Sequence, residues 1–231
     1  APRGMPALRL LVTAPPGTGK TTLCERVREQ MAKLAAEPPA AFQLEGFLCH
    51  ERRDASGRRV GFDLVSLEGQ RAPLASVDGP PTGKMVGKYH VQVEEFEKLA
   101  LPILERVAKG RGRRMLIFDE IGKMELYSDR FQSVMRHLLP NPDSDLHILG
   151  TVALNGGGLI AQSKKMQGVE VLEISASSRE AAREDVTRRF AQALQAGAPQ
   201  AAAAAPSATP APAARSAALA RLPGKEDFTF A

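Results

Sequence analysis

Ala14-Pro15-Pro16-Gly17-Thr18-Gly19-Lys20-Thr21 decides how this chain folds. An apolar run from Ala7 to Val12 leads into it, and a helix-compatible run from Thr22 to Leu34 leads out. The order strand, glycine loop, helix is the setting of a phosphate-binding loop. Glycines let consecutive backbone N–H groups turn inward around phosphate oxygens. The helix N-terminus that follows adds partial positive charge. In this reading Lys20 reaches the β and γ phosphates and the Thr21 hydroxyl ligates Mg²⁺. Ala14 stands where the pattern has its first glycine, which is tolerable if φ there is negative.

The second decisive segment is Met115-Leu116-Ile117-Phe118-Asp119-Glu120. Four apolar residues running into two carboxylates read as a buried parallel strand that presents acids at its C-terminal end. In open α/β sheets the ligand crevice lies at that end. Asp119 is then expected beside Thr21, holding Mg²⁺ through water, with Glu120 placed to orient or deprotonate an attacking water.

Between these segments the periodicity changes. Leu23, Val27, Met31 and Leu34 give the helix after the loop one buried face, and Glu37-Pro38-Pro39 ends it. Residues 42–50, 60–67, 71–77 and 86–93 read as strands, the second and third joined to their predecessors by short polar turns. This predicts an antiparallel β insertion over about residues 42–93. Glu94 to Lys109 reads as a helix that Pro102 should break or kink near Leu101. Gly79-Pro80-Pro81-Thr82-Gly83-Lys84 mimics a phosphate loop. It is one residue short and lacks the Ser or Thr that should follow its lysine, so it is taken as a surface loop. Further on come a helix from Asp129 to Leu139 capped by Ser128, a strand from Leu146 to Val152, a short helix, a strand from Val169 to Ile174, and a last helix with a Ser177/Glu180 capping box.

The fold expected is α/β: a mostly parallel central sheet flanked by helices, with the antiparallel insertion, over residues 1–196. Residues 197–231 turn to Ala, Pro and Ser and read as a flexible tail. The 231 residues are 43% hydrophobic and 25% charged, with net charge +5 and two cysteines, Cys24 and Cys49. That balance suits a soluble protein with polyanionic ligands; it is read as solubility rather than as a nucleic-acid footprint. Neither cysteine has a CxxC partner, which argues against zinc. Sparse cysteine suits a reducing compartment and no apolar run reaches membrane-spanning length, so the cytoplasm is expected, without membrane contact; a monomer is also expected.

Four strings, in this order, carry a family resemblance: Gly61-Phe62-Asp63-Leu64-Val65-Ser66-Leu67, Val86-Gly87-Lys88-Tyr89-His90-Val91, Phe96-Glu97-Lys98-Leu99-Ala100-Leu101-Pro102 and Asp119-Glu120-Ile121-Gly122-Lys123-Met124-Glu125-Leu126. Together they resemble the cancer-related nucleoside-triphosphatase family, small P-loop NTPases of thermophilic prokaryotes and animals. The resemblance covers about residues 8–190. It implies slow, Mg²⁺-dependent hydrolysis of several nucleoside triphosphates to diphosphate and phosphate. It also implies nucleotide-binding roles for residues 14–21 and for Asp119, Glu120, Ile121 and Gly122, with Glu120 as general base. Ala14, Leu48-Cys49-His50 and Ser178-Arg179 depart from the family pattern.

Arg52, Arg53, Arg58, Arg59 and Arg71, on the insertion, are candidates to reach over the phosphates, and Arg179 to stack on the base. Other readings stay open. A nucleoside- or nucleotide-kinase-like phosphotransferase shares the loop but needs an acceptor site. A GTPase-type switch would use Asp119-Glu120-Ile121-Gly122 as its Asp-x-x-Gly, yet the chain has no Asn-Lys-x-Asp guanine motif. A nucleic-acid-stimulated ATPase would use the basic excess.

Overall fold

The computed structural model describes residues 7–37, 42–143 and 145–196. The Ala/Pro-rich stretch 197–231 lies outside them. The chain runs β1 (Arg9–Ala14), α1 (Lys20–Ala36), β2 (Gln43–Arg53), β3 (Arg59–Ser66), β4 (Arg71–Ser76), β5 (Met85–Val86), β6 (Tyr89–Val91), α2 (Val93–Lys109) and β7 (Arg114–Ile121). A 3-10 turn (Glu125–Tyr127), α3 (Asp129–Leu138), β8 (Leu146–Ala153), α4 (Leu159–Ser163), β9 (Glu170–Glu173) and α5 (Arg179–Ala196) complete it.

The strands form one nine-stranded sheet in the order β5-β6-β4-β3-β2-β7-β8-β1-β9. From β2 to β9 the pairings are parallel, and from β2 outward to β5 they are antiparallel. β2 serves both halves. Gln43 to Phe47 pairs in parallel with β7, and Phe47 to Arg53 pairs antiparallel with β3.

The inner parallel strands β1, β7 and β8 are buried almost throughout because helices cover both faces. Leu10, Val12, Met115 and Ile117 face the side packed by Val27 and Met31 of α1 and by Val186 and Phe190 of α5. Leu11, Leu116 and Phe118 face the other side, packed by α2 and α3. There Phe47, Phe96 and Phe131 form an edge-on chain of rings with centroids 6.4 and 5.2 Å apart, joining β2, α2 and α3. The Phe118 ring lies over Gly150 of β8, where an added Cβ would sit 2.1 Å from it.

Three local expectations differ from the structure. In place of one strand over 86–93, Met85–Val86 and Tyr89–Val91 form a two-stranded hairpin, β5 and β6, turned at Gly87-Lys88 with φ +58° at Gly87, and α2 begins at Val93. The turn was hidden because its one glycine, Gly87, sits between residues that alternate as a strand does. Helix α2 runs through Pro102 without a break. Pro102 and Lys98 are both exposed, so the proline ring and the Lys98 carbonyl that loses its partner face water. At α5 the helix starts at Arg179. Its entry is built from Ser175, whose backbone N–H donates to Ser178 Oγ at 2.9 Å, rather than from a Ser177/Glu180 box. The Ser128 cap on α3 is present, its Oγ accepting from the Phe131 N–H at 3.0 Å.

Candidate active site

β1 ends at Ala14 and α1 begins at Lys20, so the loop between them opens at the C-terminal edge of the sheet. Ala14 is the last strand residue, paired with Ala153, in extended backbone that needs no glycine. Positive φ falls instead at Gly17 (+76°) and Gly19 (+109°), with Gly19 immediately preceding the helix. Pro15, Pro16 and Gly17 are exposed at the tip. Thr18 closes the turn, its hydroxyl donating to the Pro15 carbonyl at 2.9 Å. Lys20 folds back over the loop and donates to the Ala14 carbonyl at 3.3 Å.

The neighbouring parallel strand β7 brings the acids. Its pairing with β8 runs from Phe118↔Gly150 to Ile121↔Val152, so β7 holds one extra residue there. Strand neighbours ordinarily point to opposite faces. The irregularity lets Asp119 and Glu120 both address the loop. The Thr21 hydroxyl donates to Asp119 Oδ2 at 2.6 Å, and the buried Thr151 hydroxyl of β8 donates to Asp119 Oδ1. Glu120 Oε2 lies 3.5 Å from Lys20 Nζ. Burial pushes the Glu120 carboxyl above its ordinary range, and Lys20 opposes that rise. Ile121 points into the core, and Gly122 closes the strand end. All the sequence-derived site residues, 14–21 and 119–122, thus meet at one edge.

Three further residues belong to this edge. Thr151 was unremarkable in an apolar strand. Lys164, after α4, donates to the Leu154 carbonyl at 2.8 Å and to Thr13 Oγ1 at 3.4 Å, placing a second cation at the ends of β1 and β8. Glu125 is only 3% exposed. Burial, then repulsion from Glu120, pushes its carboxyl up to about 8. The signal for Glu125 was its place inside the Asp119–Leu126 string; the spacing alone carried no chemistry. Cys49 of β2 borders the same group, its thiol pushed up by burial and then by Glu125 and Asp119.

The insertion arginines are held elsewhere. Arg52 and Arg71 pair with Asp63 at 3.7 and 3.0 Å, Arg53 and Arg59 pair with Glu51, and Arg58 pairs with Asp54 at 3.0 Å. All five are engaged by carboxylates of the insertion itself, three of them across neighbouring strands. Arg179 does approach the loop: its Cδ lies 3.8 Å from where a Cβ on Gly19 would be.

The oxygen set suits a magnesium ion. The Thr21 hydroxyl and Asp119 carboxylate are hard donors, and Mg²⁺ is commonly bound by one or two protein oxygens plus phosphate and water. The arrangement can hold a polyphosphate on backbone N–H groups and Lys20, with a carboxylate beside the place where a nucleophile would stand.

Comparison with known proteins gives a consistent picture. The sequence model of the NTPase family matches residues 9–187. The chain is 38% identical over 182 residues to a human protein named cancer-related nucleoside-triphosphatase, covering 75% of this chain and 91% of that one. It is 33% identical over 184 residues to nucleoside-triphosphatase THEP1 of Aquifex aeolicus, covering 78% and 97%. The crystal structure of THEP1 from Aquifex aeolicus superposes with a TM-score of 0.66 over 78% of this chain and 96% of that one, at 31% identity. The solution structure of a human cancer-related nucleoside triphosphatase gives 0.63 over 80% and 97%, at 36% identity. Among the described residues no helix is long and apolar enough to cross a membrane.

Proposed function

Because this chain belongs to the NTPase family, we propose that it hydrolyses nucleoside triphosphates to the diphosphate and inorganic phosphate, with Mg²⁺, using a water positioned by Glu120. The observation that carries the reading is the junction of the two decisive segments. Thr21 donates to Asp119 at 2.6 Å, and beside it Lys20 stands 3.5 Å from Glu120. The loop supports phosphate binding and the acid pair supports chemistry; together they support hydrolysis.

In this mechanism the backbone N–H groups of residues 17–21 hold the β and γ phosphates. Lys20 leaves Glu120 for the phosphates and stabilises the charge spread over the transferring group. Glu120 is thereby released to accept a hydrogen bond from water in line with the γ-phosphorus, and it receives the proton as that water attacks. Thr21 and Asp119 would hold Mg²⁺, which when bound neutralises charge on the β and γ oxygens. Thr151 fixes the direction of Asp119. The base would lie along the α5 entry, where Arg179 offers a flat cation for stacking and Ser175, Ser177 and Ser178 offer hydroxyls. A hydroxyl donates or accepts equally, so this edge suits several bases.

The test is phosphate release over a panel of NTPs, with the wild type beside Glu120→Gln and Lys20→Ala. Glu120→Gln should keep nucleotide binding and lose turnover, and Lys20→Ala should lose both. Inactivity of the wild type towards every NTP refutes the reading.

A further inference from the structure

Glu125 is the one buried carboxyl at this edge that the mechanism leaves unused. It is 3% exposed, and among the described residues no Lys, Arg or His forms an ion pair with it. A buried carboxylate without a counter-cation is costly, and burial outweighs the hydrogen bonds that its own N–H and that of Gly122 offer the charged form, so the group keeps its proton at neutral pH.

Its position relative to Glu120 is specific. An added Cβ on Gly122 would meet Glu120 Oε1 at 2.7 Å and Glu125 Oε2 at 2.8 Å, so the two carboxyl groups flank the same point above the bare α-carbon. Lys20 approaches the other oxygen of Glu120, Oε2. Glu120 is therefore bracketed, with a cation at Oε2 and a neutral carboxyl on the Oε1 side. When Lys20 turns to the phosphates, Oε2 is freed for water, and Oε1 needs a donor that stays behind.

We propose that Glu125 is a positioning residue for hydrolysis: its carboxyl O–H holds Glu120 through Oε1 and keeps Oε2 aimed at the attacking water. This rests on the reading of Glu120 given above. Glu125 touches neither substrate nor water and acts only through Glu120. The absence of a side chain at residue 122 is part of the device, since any Cβ would enter the gap. Besides Glu120, the charged and titratable groups near Glu125 are Asp119 on β7 and Cys49 on β2, with Glu97 of α2 holding Ser128 just beyond the turn. Cys49 carries a neutral thiol, and Glu97 is engaged by Ser128 and Arg130. None of them supplies a second donor to Oε1. Above the pH at which Glu125 ionises, it loses its donor and repels Glu120, so turnover falls on the alkaline side.

Steady-state phosphate release from ATP, measured across neutral and alkaline pH, tests this with Glu125→Ala and Glu125→Gln beside the wild type. A glutamine still donates to Glu120 but cannot ionise. Glu125→Ala should lower kcat about tenfold or more while KM moves less than about threefold. Glu125→Gln should recover most of kcat at neutral pH and lack the alkaline limb of the wild type. A glutamine variant as poor as alanine, or one that keeps the limb, overturns the proposal. Should the glutamine variant not fold, an infrared titration of the wild type decides. A protonated glutamic acid stretch persisting at neutral pH supports the role, and its absence refutes it. Full activity in Glu120→Gln would instead sink the reading of Glu120 itself. An inactive Glu120→Gln beside an unaffected Glu125→Ala would sink only the role of Glu125.

Discussion

Replacing Glu125 by Gln should change how the stability of the protein depends on pH. In the folded chain the carboxyl is pushed from 4.5 to about 8, first by burial and then by repulsion from Glu120. Unfolded, it returns to the ordinary value. Between those two pH values the folded chain binds a proton that the unfolded chain has released, so the wild type loses stability as pH rises through that window. Each pH unit costs about 1.4 kcal/mol, or about 5 kcal/mol across the window. The loss levels off above the folded value, where both states are ionised. Glutamine has the same shape and does not titrate, so Glu125→Gln should escape the loss. The assay is urea denaturation of both proteins in EDTA at several pH values from acid to alkaline. The stability difference should be small in acid, grow in favour of Glu125→Gln with pH, and flatten above about pH 8. Most other groups titrate alike in both proteins and cancel in the difference. A difference that stays constant with pH would show that Glu125 is not held protonated, and the reasoning about its burial would fail.

Other expectations concern single contacts. Gly122→Ala puts a methyl 2.7 Å from Glu120 Oε1, so kcat should fall about tenfold or more with the circular dichroism spectrum unchanged. Thr151→Val removes the hydroxyl that donates to Asp119 and leaves that oxygen short of a donor. It should cost about 1–3 kcal/mol in denaturation and raise the Mg²⁺ concentration needed for half-maximal turnover, and Thr151→Ser should restore both. Ser128→Ala removes the cap on the Phe131 N–H and the 2.6 Å contact to Glu97, for about 1–2 kcal/mol of stability by urea denaturation.

Much of this protein was legible in its sequence because the relevant physics is local. Gly17 and Gly19 announce positive φ ahead of a helix, and both adopt it. Four apolar residues before Asp119 require a strand covered on both faces, and β7 is one. The order of such segments was enough to place residues 14–21 and 119–122 at one sheet edge, since parallel α/β strands carry their sites at their C-terminal ends. What the tertiary structure alone decided depends on pairs distant in sequence. β2 reads as one more strand of the insertion, yet its first half belongs to the parallel sheet because β7 lies beside it. The insertion arginines looked free until Glu51, Asp54 and Asp63 were found across the strands and turns that hold them. Thr151 and Glu125 carry no pattern of their own. Thr151 matters because β8 packs next to Asp119, and Glu125 because the turn after Gly122 folds it back beside Glu120, where among the described residues no Lys, Arg or His forms an ion pair with it. Local preference follows from a residue and its chain neighbours. The charge state and aim of a buried carboxyl follow from what the fold packs around it.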